Sequence, residues 1–222
     1  MKRIVALMLV VMFLFTGCVV VEFGDSGSAA TSEPEAVAQR FSEADVLNQL
    51  EVSEYSLSQD GDNYLFYEIT NGSGFTINIS IDLKFFDADG GLVDIASGYV
   101  DVVGSGQAAL LTIIPEGEYA SAEYEIEVQE ETYYKTAVSY YSYECTPAPG
   151  KEIVSVTNNG EKKIESPYGY ILFFNGDELV GWNCANFHDD DWELKPGGTE
   201  YREMYCEAEY DSYKLYLQGY VE

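Results

Sequence analysis

Hydrophobic and polar residues alternate along two stretches of the chain. From residue 75 to residue 85 every odd position is apolar and every even position is polar. Tyr124, Ile126 and Val128 alternate in the same way with glutamates and a glutamine. A period of two places one row of side chains on a buried face and the other row in water. The pattern therefore predicts antiparallel strands that are buried on one face.

Short segments rich in Gly, Asn and Asp separate the strand-like runs. These segments are residues 59–63, 71–74, 89–91, 158–160 and 175–177. Such residues favour tight turns because Gly, Asn and Asp tolerate positive φ angles. About six short strands at this spacing in each half predict an all-β fold made of small antiparallel sandwiches of the immunoglobulin type.

The second half of the chain repeats the order of motifs in the first. The pentad from Val52 to Ser56 recurs about 90 residues later from Val138 to Ser142. Further matches follow in the same order: Ile69–Asn71 with Val156–Asn158, Phe85–Asp87 with Phe173–Asn175, and Tyr124–Gln129 with Tyr213–Gln218. This repeat predicts two tandem sandwich domains, residues 42–133 and 134–222.

One segment resembles a known family. The run Ile81–Asp87, followed by Gly90 and Gly91, is similar to the FxLYD-type domain of exported bacterial and archaeal proteins, and Ile69–Ser73 matches its hydrophobic-x-Asn-x-Ser element. The second copy departs from the pattern at Phe173–Gly176, where Asn175 replaces the Asp. The resemblance implies an immunoglobulin-like sandwich on a cell surface, and it implies no enzymatic activity.

The N-terminus carries the features of a lipoprotein signal. Lys2 and Arg3 precede twelve apolar residues, too few to span a membrane comfortably, and Phe15–Cys18 resembles a bacterial lipobox. We expect a signal peptide over residues 1–17, cleavage before Cys18, and fatty acyl chains on that cysteine. An uncleaved anchor running through residues 19–21, or an ordinary thiol at Cys18, is the alternative. Lipidation would place the protein on the outer face of the bacterial cell membrane.

A linker is predicted between the anchor and the first sandwich. Residues 18–41 contain many Gly and Ser residues and few bulky ones, which is typical of a flexible tether. The only predicted helix follows from residue 42 to residue 50, with Ser42 at its N-cap and Asp45 three residues later.

The chain is strongly acidic. It contains 39 acidic and 11 basic residues, for a net charge of -28. Nucleic-acid binding requires Lys and Arg to neutralise phosphates, so this class of function is excluded. Attraction to anionic lipid headgroups is excluded for the same reason. The charge favours solubility at a cell surface or, less directly, attraction of a basic partner.

No cluster of residues predicts an enzyme, a cofactor or a metal site. The single histidine, His188, is expected in a solvated loop beside Asp189–Asp191, and no nucleophile motif accompanies it. Asp60–Asn63 and Asp87–Gly90 suggest calcium loops, but position 12 counted from Asp87 is Gly98 rather than a carboxylate, and hairpin turns explain both segments better. His188–Asp191 with Glu193 is the alternative cation site. Chance pairs of carboxylates are expected in so acidic a chain. We therefore expect a non-enzymatic protein.

Three cysteines remain once Cys18 is assigned to lipid. The repeat aligns Cys184 with Ser97 and Cys206 with Ile114, two positions that would face each other if residues 92–114 formed one hairpin. A Cys184–Cys206 disulfide is therefore expected in an exported protein, with Cys145 left unpaired. Three free thiols are the alternative.

Aromatic residues are the remaining candidates for binding. A cluster falls at the predicted junction between the domains: Tyr133, Tyr134, Tyr140, Tyr141 and Tyr143. Exposed tyrosines favour contacts with proteins or sugars, whereas packing between the two sandwiches is the alternative use. Trp182 and Trp192 are expected to anchor the core or a loop. The sequence thus predicts a surface module for a protein or glycan partner, or else a spacer subunit of an envelope complex.

Overall fold

The computed structural model describes residues 40–59 and 61–222. They form one short helix and antiparallel strands arranged in four sheets, which confirms the predicted all-β sandwich fold. The predicted signal peptide, the lipidated Cys18 and the tether up to residue 39 lie outside the described residues. Within the described part of the chain, no helix is long and apolar enough to cross a membrane. Residues 40–222 form a single compact unit.

The first half contains one helix and six strands. They are α1 (Glu43–Leu47), β1 (Leu50–Gln59), β2 (Asp62–Asn71), β3 (Ile77–Phe86), β4 (Leu92–Val103), β5 (Ala108–Ile113) and β6 (Ser121–Glu130). Strands β1-β2-β5 form sheet A, and strands β4-β3-β6 form sheet B. A hydrophobic core fills the space between the two sheets.

The second half contains six longer strands and two strands of two residues. They are β7 (Lys135–Thr136), β8 (Tyr141–Ala148), β9 (Lys151–Asn158), β10 (Ile164–Asn175), β11 (Glu178–Asn186), β12 (Glu193–Leu194), β13 (Thr199–Tyr205) and β14 (Ser212–Val221). Strands β11-β10-β14-β7 form sheet C, with β12 also paired to β10, and strands β13-β9-β8 form sheet D. A second core lies between these sheets.

Both halves follow the same strand order. In each, the first, second and fifth long strands form one sheet, and the fourth, third and sixth form the other. In immunoglobulin-type sandwiches the first, second and fifth strands likewise share one sheet and the third and sixth share the other, and a further strand commonly extends the second sheet beyond the sixth; the sheet that takes the fourth strand differs between types. In the second half, only the two residues of β7 occupy that further position.

A buried asparagine stands at the same place in each half. Asn71 and Asn158 end the second long strand of their sandwich, and both are fully buried. The Asn71 amide group donates to the carbonyl oxygens of Phe75, at 2.8 Å, and Val103, at 3.0 Å. The Asn158 amide group donates to Lys162, at 2.8 Å, and Leu194, at 2.9 Å. Each asparagine therefore ties the loop that follows it to the opposite sheet.

A glycine completes this element in both halves. The N–H groups of Gly106 and Gly197 donate to the backbone carbonyl oxygens of Asn71 and Asn158, at 2.7 and 2.8 Å. Both glycines have positive φ angles, +73° and +70°, which an L side chain would strain. This shared geometry supports the repeat detected in the sequence.

One predicted match within the repeat is wrong. The pentads beginning at Val52 and Val138 are not equivalent, because Val138 lies in a 3₁₀ turn, Val138–Tyr140, that precedes β8. Leu50 faces Asn71 across sheet A, and Tyr141 faces Asn158 across sheet D. The first long strand of the second half therefore begins at Tyr141, after the β7 segment and the 3₁₀ turn.

The alternation in the sequence corresponds to burial in β3. Ile77, Ile79, Ile81, Leu83 and Phe85 are all fully buried in the first core. The residues between them point to the outer face of sheet B, as the period of two requires. This strand is the clearest confirmed prediction of the fold.

The helix is shorter than predicted. It covers Glu43–Leu47 rather than residues 42–50, and the Ser42 side chain makes no capping hydrogen bond. The chain leaves the helix early because the residues from Leu50 onward pair with β2. Val46 is the buried residue that fixes the helix to the first core.

The two sandwiches pack through the outer faces of sheets A and C. The buried residues of this third cluster are Phe66, Leu110, Leu172, Phe174, Leu179 and Tyr216. Phe66 and Trp182 meet edge to face, with ring centroids 5.4 Å apart. Sheets A and C are therefore buried on both faces, which explains the uninterrupted apolar runs at residues 64–67 and 170–174.

The predicted Cys184–Cys206 disulfide is not formed in the structure. Cys145, Cys184 and Cys206 are all free thiols. The hairpin on which the prediction rested does not exist, because β11 and β13 belong to different sheets. Cys184 is exposed, whereas Cys206 is buried in the second core against Gly181.

These positions predict unequal thiol reactivity. Burial raises the pKa of the Cys145 and Cys206 thiols, which lowers their thiolate content at neutral pH. We expect Cys184 to be alkylated first in the native protein, without reductant, and Cys145 and Cys206 to react mainly after unfolding. Mass spectrometry of timed alkylation tests this expectation. Labelling of Cys184 and Cys206 that appears only after reduction would contradict it.

Candidate functional site

One edge of sheet C is open along most of the last strand. On one side, β14 pairs with β10 from Ser212 to Tyr220. On the other side it pairs only with β7, through Tyr220 and Val221. Among the described residues, no strand covers residues 212–218 on this side. The open edge carries unpaired backbone groups, which are a template for pairing with another chain.

A groove of ≈ 550 Å³ runs along this open edge. Five consecutive residues of β14, Tyr213–Leu217, form one wall, so side chains from both faces of the strand contribute. The other walls come from β8, from the 3₁₀ turn and from the first sandwich: Tyr141, Tyr143, Val138, Glu68 and Gly106–Ala108. The groove therefore lies where sheets A, C and D meet. We call it the β14 groove.

Tyr143 is the most exposed tyrosine of this groove. In β8, Tyr141, Tyr143 and Cys145 face residues of β9 that are buried in the second core. Tyr141 and Cys145 pack against that core, but Tyr143 is 54% exposed. Strand alternation places its side chain on the same face of sheet D as those of Tyr141 and Cys145, and it lines the β14 groove. An aromatic ring on an inner face thus remains uncovered.

A charged cluster forms the wall that faces the first sandwich. Lys214 donates to Glu68 at 2.7 Å and to the Tyr55 hydroxyl at 2.8 Å, and Tyr55 donates to Glu68 at 2.7 Å. Burial raises the pKa of Glu68, but the hydrogen bonds from Lys214 and Tyr55 outweigh burial and leave that pKa below its ordinary value. Burial lowers the pKa of Lys214, and the same bonds raise it overall. At neutral pH the cluster is an ion pair.

The hydroxyl group of Tyr216 lies beside this cluster. Tyr216 is only 4% exposed, and its hydroxyl makes no hydrogen bond of good geometry within the described part of the chain. Burial raises the pKa of Tyr216, and the nearby Glu68 carboxylate raises it further. The acceptor beside this hydroxyl is the Glu68 carboxylate, which also accepts from Lys214 and Tyr55.

The predicted tyrosine cluster separates into three places. Tyr141 and Tyr143 line the β14 groove, whereas Tyr140 packs in the second core over Gly160. Tyr134 forms a separate aromatic cluster with Tyr133, edge to face at 4.7 Å between ring centroids, and with Tyr220, at 4.5 Å. The predicted alternative use, packing between the sandwiches, belongs instead to Tyr55, Tyr64, Tyr170 and Tyr216.

The sequence predicted only two of the residues that line the groove, Tyr141 and Tyr143. Tyr213, Tyr216, Lys214 and Glu68 were not among the predicted binding residues. The run of aromatic and aliphatic residues in β14, interrupted only by Lys214, is a signal for Tyr213 and Tyr216. No local signal brings Glu68 to Lys214, because the two residues are 146 positions apart.

A second aromatic surface surrounds Trp192. This side chain is 69% exposed and has a φ angle of +64°, which is strained for a bulky residue. Its ring stacks on His188, with centroids 4.4 Å apart. Lys195 holds the loop by ion pairs to Asp189 and Asp191, both at 2.8 Å. Trp192 is therefore an exposed ring, not the core or loop anchor expected from the sequence.

His188 is more enclosed than the sequence suggested. It is half-buried beneath Trp192, and its Nε2 atom has no hydrogen-bond partner in the part of the chain that the structure describes. Its backbone carbonyl oxygen accepts a bond from Arg202 at 2.9 Å. An open cavity of ≈ 560 Å³ lies beside these residues, and Glu200 and Asp190 also line it.

The acidic turn that suggested a calcium loop has a structural role. The Asp87 carboxylate accepts the N–H groups of Asp89, at 2.9 Å, and Gly91, at 2.7 Å, and so closes the turn between β3 and β4. Among the described residues, no group of three or more His, Cys, Asp and Glu side chains is placed to hold a metal ion.

Comparisons with known proteins do not assign a function to the chain. No protein-family model matches the chain, and no curated protein matches it. The FxLYD-like motif stays a prediction, and its Asp87 and Gly91 have the turn geometry given above. Function must therefore be inferred from the β14 groove and the Trp192 surface.

The Glu68 ion pair predicts a pH-dependent contribution to stability. Because the pKa of Glu68 in the folded protein lies below its ordinary value of 4.5, the stabilisation is present above that value and is lost as the pH falls through the folded pKa. Glu68→Gln is expected to lower the free energy of unfolding by about 1 kcal/mol at pH 7, with the deficit shrinking below pH of about 4.5. Urea unfolding of both proteins at pH 7 and at low pH measures this.

Glu203→Gln is the control for that measurement. Glu203 also pairs with a lysine, Lys151, but it is 45% exposed, so its contribution should be smaller. A Glu68→Gln deficit that remains unchanged at low pH would contradict the ion-pair explanation.

Proposed function

We propose that this protein is an exported, lipid-anchored binding module that holds a partner in the β14 groove at the outer face of the bacterial cell membrane. The signal-like N-terminus and the lipobox-like residues before Cys18 support the anchor. The compact body of residues 40–222 supports the module, because four packed sheets hold the groove in a fixed shape.

The observation that carries the proposal is the uncovered Tyr143. Large apolar surface on the inner face of a sheet is normally covered, and exposed aromatic residues near a groove are typical of binding surfaces. The neighbours Tyr141 and Cys145 are covered by the core, and Tyr143 is not. Tyr213, also in the groove, adds a second partly exposed ring.

The groups in the groove suit recognition better than catalysis. Lys214 is held as a cation by Glu68, so it is not available as a general base. The pKa of Tyr213 is raised, first by its hydrogen bond with the Cys145 thiol and then by burial, so its hydroxyl stays protonated. Hydrogen-bond donors and aromatic faces remain, and these are the contacts of a binding site.

Site-specific photo-crosslinking in living cells tests the proposal. A photo-reactive phenylalanine analogue replaces Tyr143 in one strain and Tyr133 in another, and irradiation is followed by detection of covalent adducts. Tyr133 is the matched control because it is an exposed tyrosine outside the groove. We expect an adduct from position 143 and none from position 133.

Two outcomes would contradict the proposal. No adduct from position 143 would favour the spacer role, in which the sandwiches hold no ligand of their own. Adducts of equal yield from both positions would show contact without selectivity for the groove. For the anchor, Cys18→Ala should release the protein from membranes and abolish incorporation of labelled fatty acid.

A further inference from the structure

We infer that the occupant of the β14 groove is an extended segment of a partner protein that adds a strand to sheet C. This inference rests on the proposed function and names the kind of partner that the groove takes. Strand addition gives affinity through backbone hydrogen bonds and specificity through alternate side chains.

The backbone of β14 offers hydrogen bonds on its open side. The carbonyl oxygen of Gly219 faces away from β10, because it accepts the N–H of Ala137 in the neighbouring segment at 3.0 Å. In an antiparallel strand the N–H and C=O of one residue point to the same side, and every second residue repeats that direction. Leu217, Leu215 and Tyr213 therefore also direct their backbone groups into the groove, whereas Tyr216 directs its carbonyl oxygen toward Gly169 of β10.

The chain itself already occupies one end of this edge. Thr136 and Lys135 of β7 pair with Tyr220 and Val221, and the N–H of Ala137 donates to Gly219 at 3.0 Å. The chain then turns away through the 3₁₀ turn, Val138–Tyr140. A partner strand would continue the line of β7 beside residues 212–218, a length of about 20 Å at about 3.3 Å per residue.

The side chains around the groove specify an amphipathic strand. One row of the incoming side chains would face Tyr143 and Val138 on the side of sheet D. The other row would face Glu68, Lys214 and Gln107 on the side of the first sandwich. Because successive side chains of a strand point to opposite faces, the fitting segment alternates apolar and polar residues.

The charge of the chain adds a preference within the polar row. The net charge of -28 gives an overall negative potential. Basic residues in the partner segment would be attracted, whereas a second copy of this chain would be repelled. The partner segment is thus expected to carry Lys or Arg at some of its polar positions.

The two edges of sheet B are less suitable. Helix α1 packs beside β6, and the polar row of that strand is made of glutamates: Glu123, Glu125 and Glu127. The β4 edge exposes apolar side chains, but it has register irregularities near both ends and a positive φ at Val102. Bulges and charges of this kind discourage pairing. By contrast, β14 pairs with β10 in regular register from Ser212 to Gln218.

Selection of linear peptides on the full-length protein provides the probe. A display library of linear twelve-residue peptides is selected on the full chain in detergent micelles, and the enriched peptides are synthesised. We expect the enriched peptides to alternate apolar and polar residues. Their binding should be lost with Tyr143→Asp and retained with Tyr133→Asp, the exposed tyrosine outside the groove. Circular dichroism confirms that both variants are folded.

Backbone methylation then distinguishes strand addition from other modes of binding. N-methyl groups are placed on alternate amides of the best peptide, in two complementary sets. A strand directs only one set toward β14, so one set should weaken binding about tenfold or more and the other should have little effect. Equal effects of the two sets, or enriched peptides indifferent to Tyr143→Asp, would overturn the inference.

The crosslinking and methylation experiments together distinguish a failure of this inference from a failure of the proposed function. If Tyr143 crosslinks to a partner in cells but the two methylated sets behave alike, the groove is a binding site for something other than a strand, such as a glycan. If Tyr143 does not crosslink in cells, the proposed function itself fails, whatever the peptides do.

Discussion

Replacing Asn158 with alanine is expected to lower the free energy of unfolding by about 3 to 5 kcal/mol. The substitution leaves the carbonyl groups of Lys162 and Leu194 and the N–H of Gly160 without their side-chain partner. Each buried group that loses its partner costs about 1 to 3 kcal/mol. Denaturant unfolding followed by tryptophan fluorescence gives the value.

Two companion variants make this measurement specific. Asn71→Ala should cost a similar amount, because Asn71 makes the equivalent bonds in the first sandwich. Asn159→Ala should cost little, since its amide bonds only to the exposed Ser142 hydroxyl. A loss at Asn158 no larger than the loss at Asn159 would contradict the role of the buried asparagine.

The second large effect is expected at the contact between the sandwiches. Phe66→Ala should lower the free energy of unfolding by about 3 to 5 kcal/mol, because Phe66 is fully buried on the outer face of sheet A. Calorimetry should show one cooperative transition for the wild type, since the two cores share this interface. The variant should show a lower transition temperature and a broader or divided transition.

An exposed aliphatic residue provides the control for Phe66. Ile95 is 59% exposed on β4, and Ile95→Ala should change the free energy of unfolding by about 0.5 kcal/mol or less. Two separate transitions in the wild type would contradict a shared interface, as would a Phe66→Ala effect comparable to that of Ile95→Ala.

Local sequence patterns predicted the strands well. The period-two run in β3 identified its buried residues, and the Asn-Gly and Asp-Gly segments marked turns that the structure contains. These features depend on neighbouring residues only, so they can be recognised without knowledge of the fold. The helix over residues 42–50 was overestimated because pairing of β1 with β2 overrode local helical preference.

Local sequence patterns could not predict which strands share a sheet or which sheets pack against each other. The disulfide prediction assumed that residues 92–114 and their equivalents form hairpins, but the fourth and fifth strands of each half lie in different sheets. The face-to-face packing of sheets A and C had a signal in residues 64–67 and 170–174, where apolar residues are continuous. That signal shows burial on two faces but does not identify the opposing surface.

The residues of the candidate site could also be predicted only in part from local sequence patterns. Tyr141 and Tyr143 were found because tyrosines cluster in the sequence, whereas Glu68 and Lys214 meet only through the packing of the two sandwiches. The open edge of β14 depends on where β7 stops pairing, which no pattern in residues 134–140 predicts.

An open, partly apolar strand edge is a hazard for a displayed protein, because two copies could pair with each other. The net charge of -28 opposes such self-association by mutual repulsion. The acidic composition and the open β14 edge are therefore compatible, and together they favour a partner whose charge differs from that of the chain.

Amide hydrogen exchange along β14 in the full-length protein without a partner tests the central claim most directly. If the edge is open, Lys214 and Tyr216 should exchange slowly, because they bond to β10, and Leu215 and Leu217 should exchange quickly, because their N–H groups face the groove. NMR at single-residue resolution distinguishes the two pairs. Slow exchange at all four positions would show that the edge is already covered and would contradict the account.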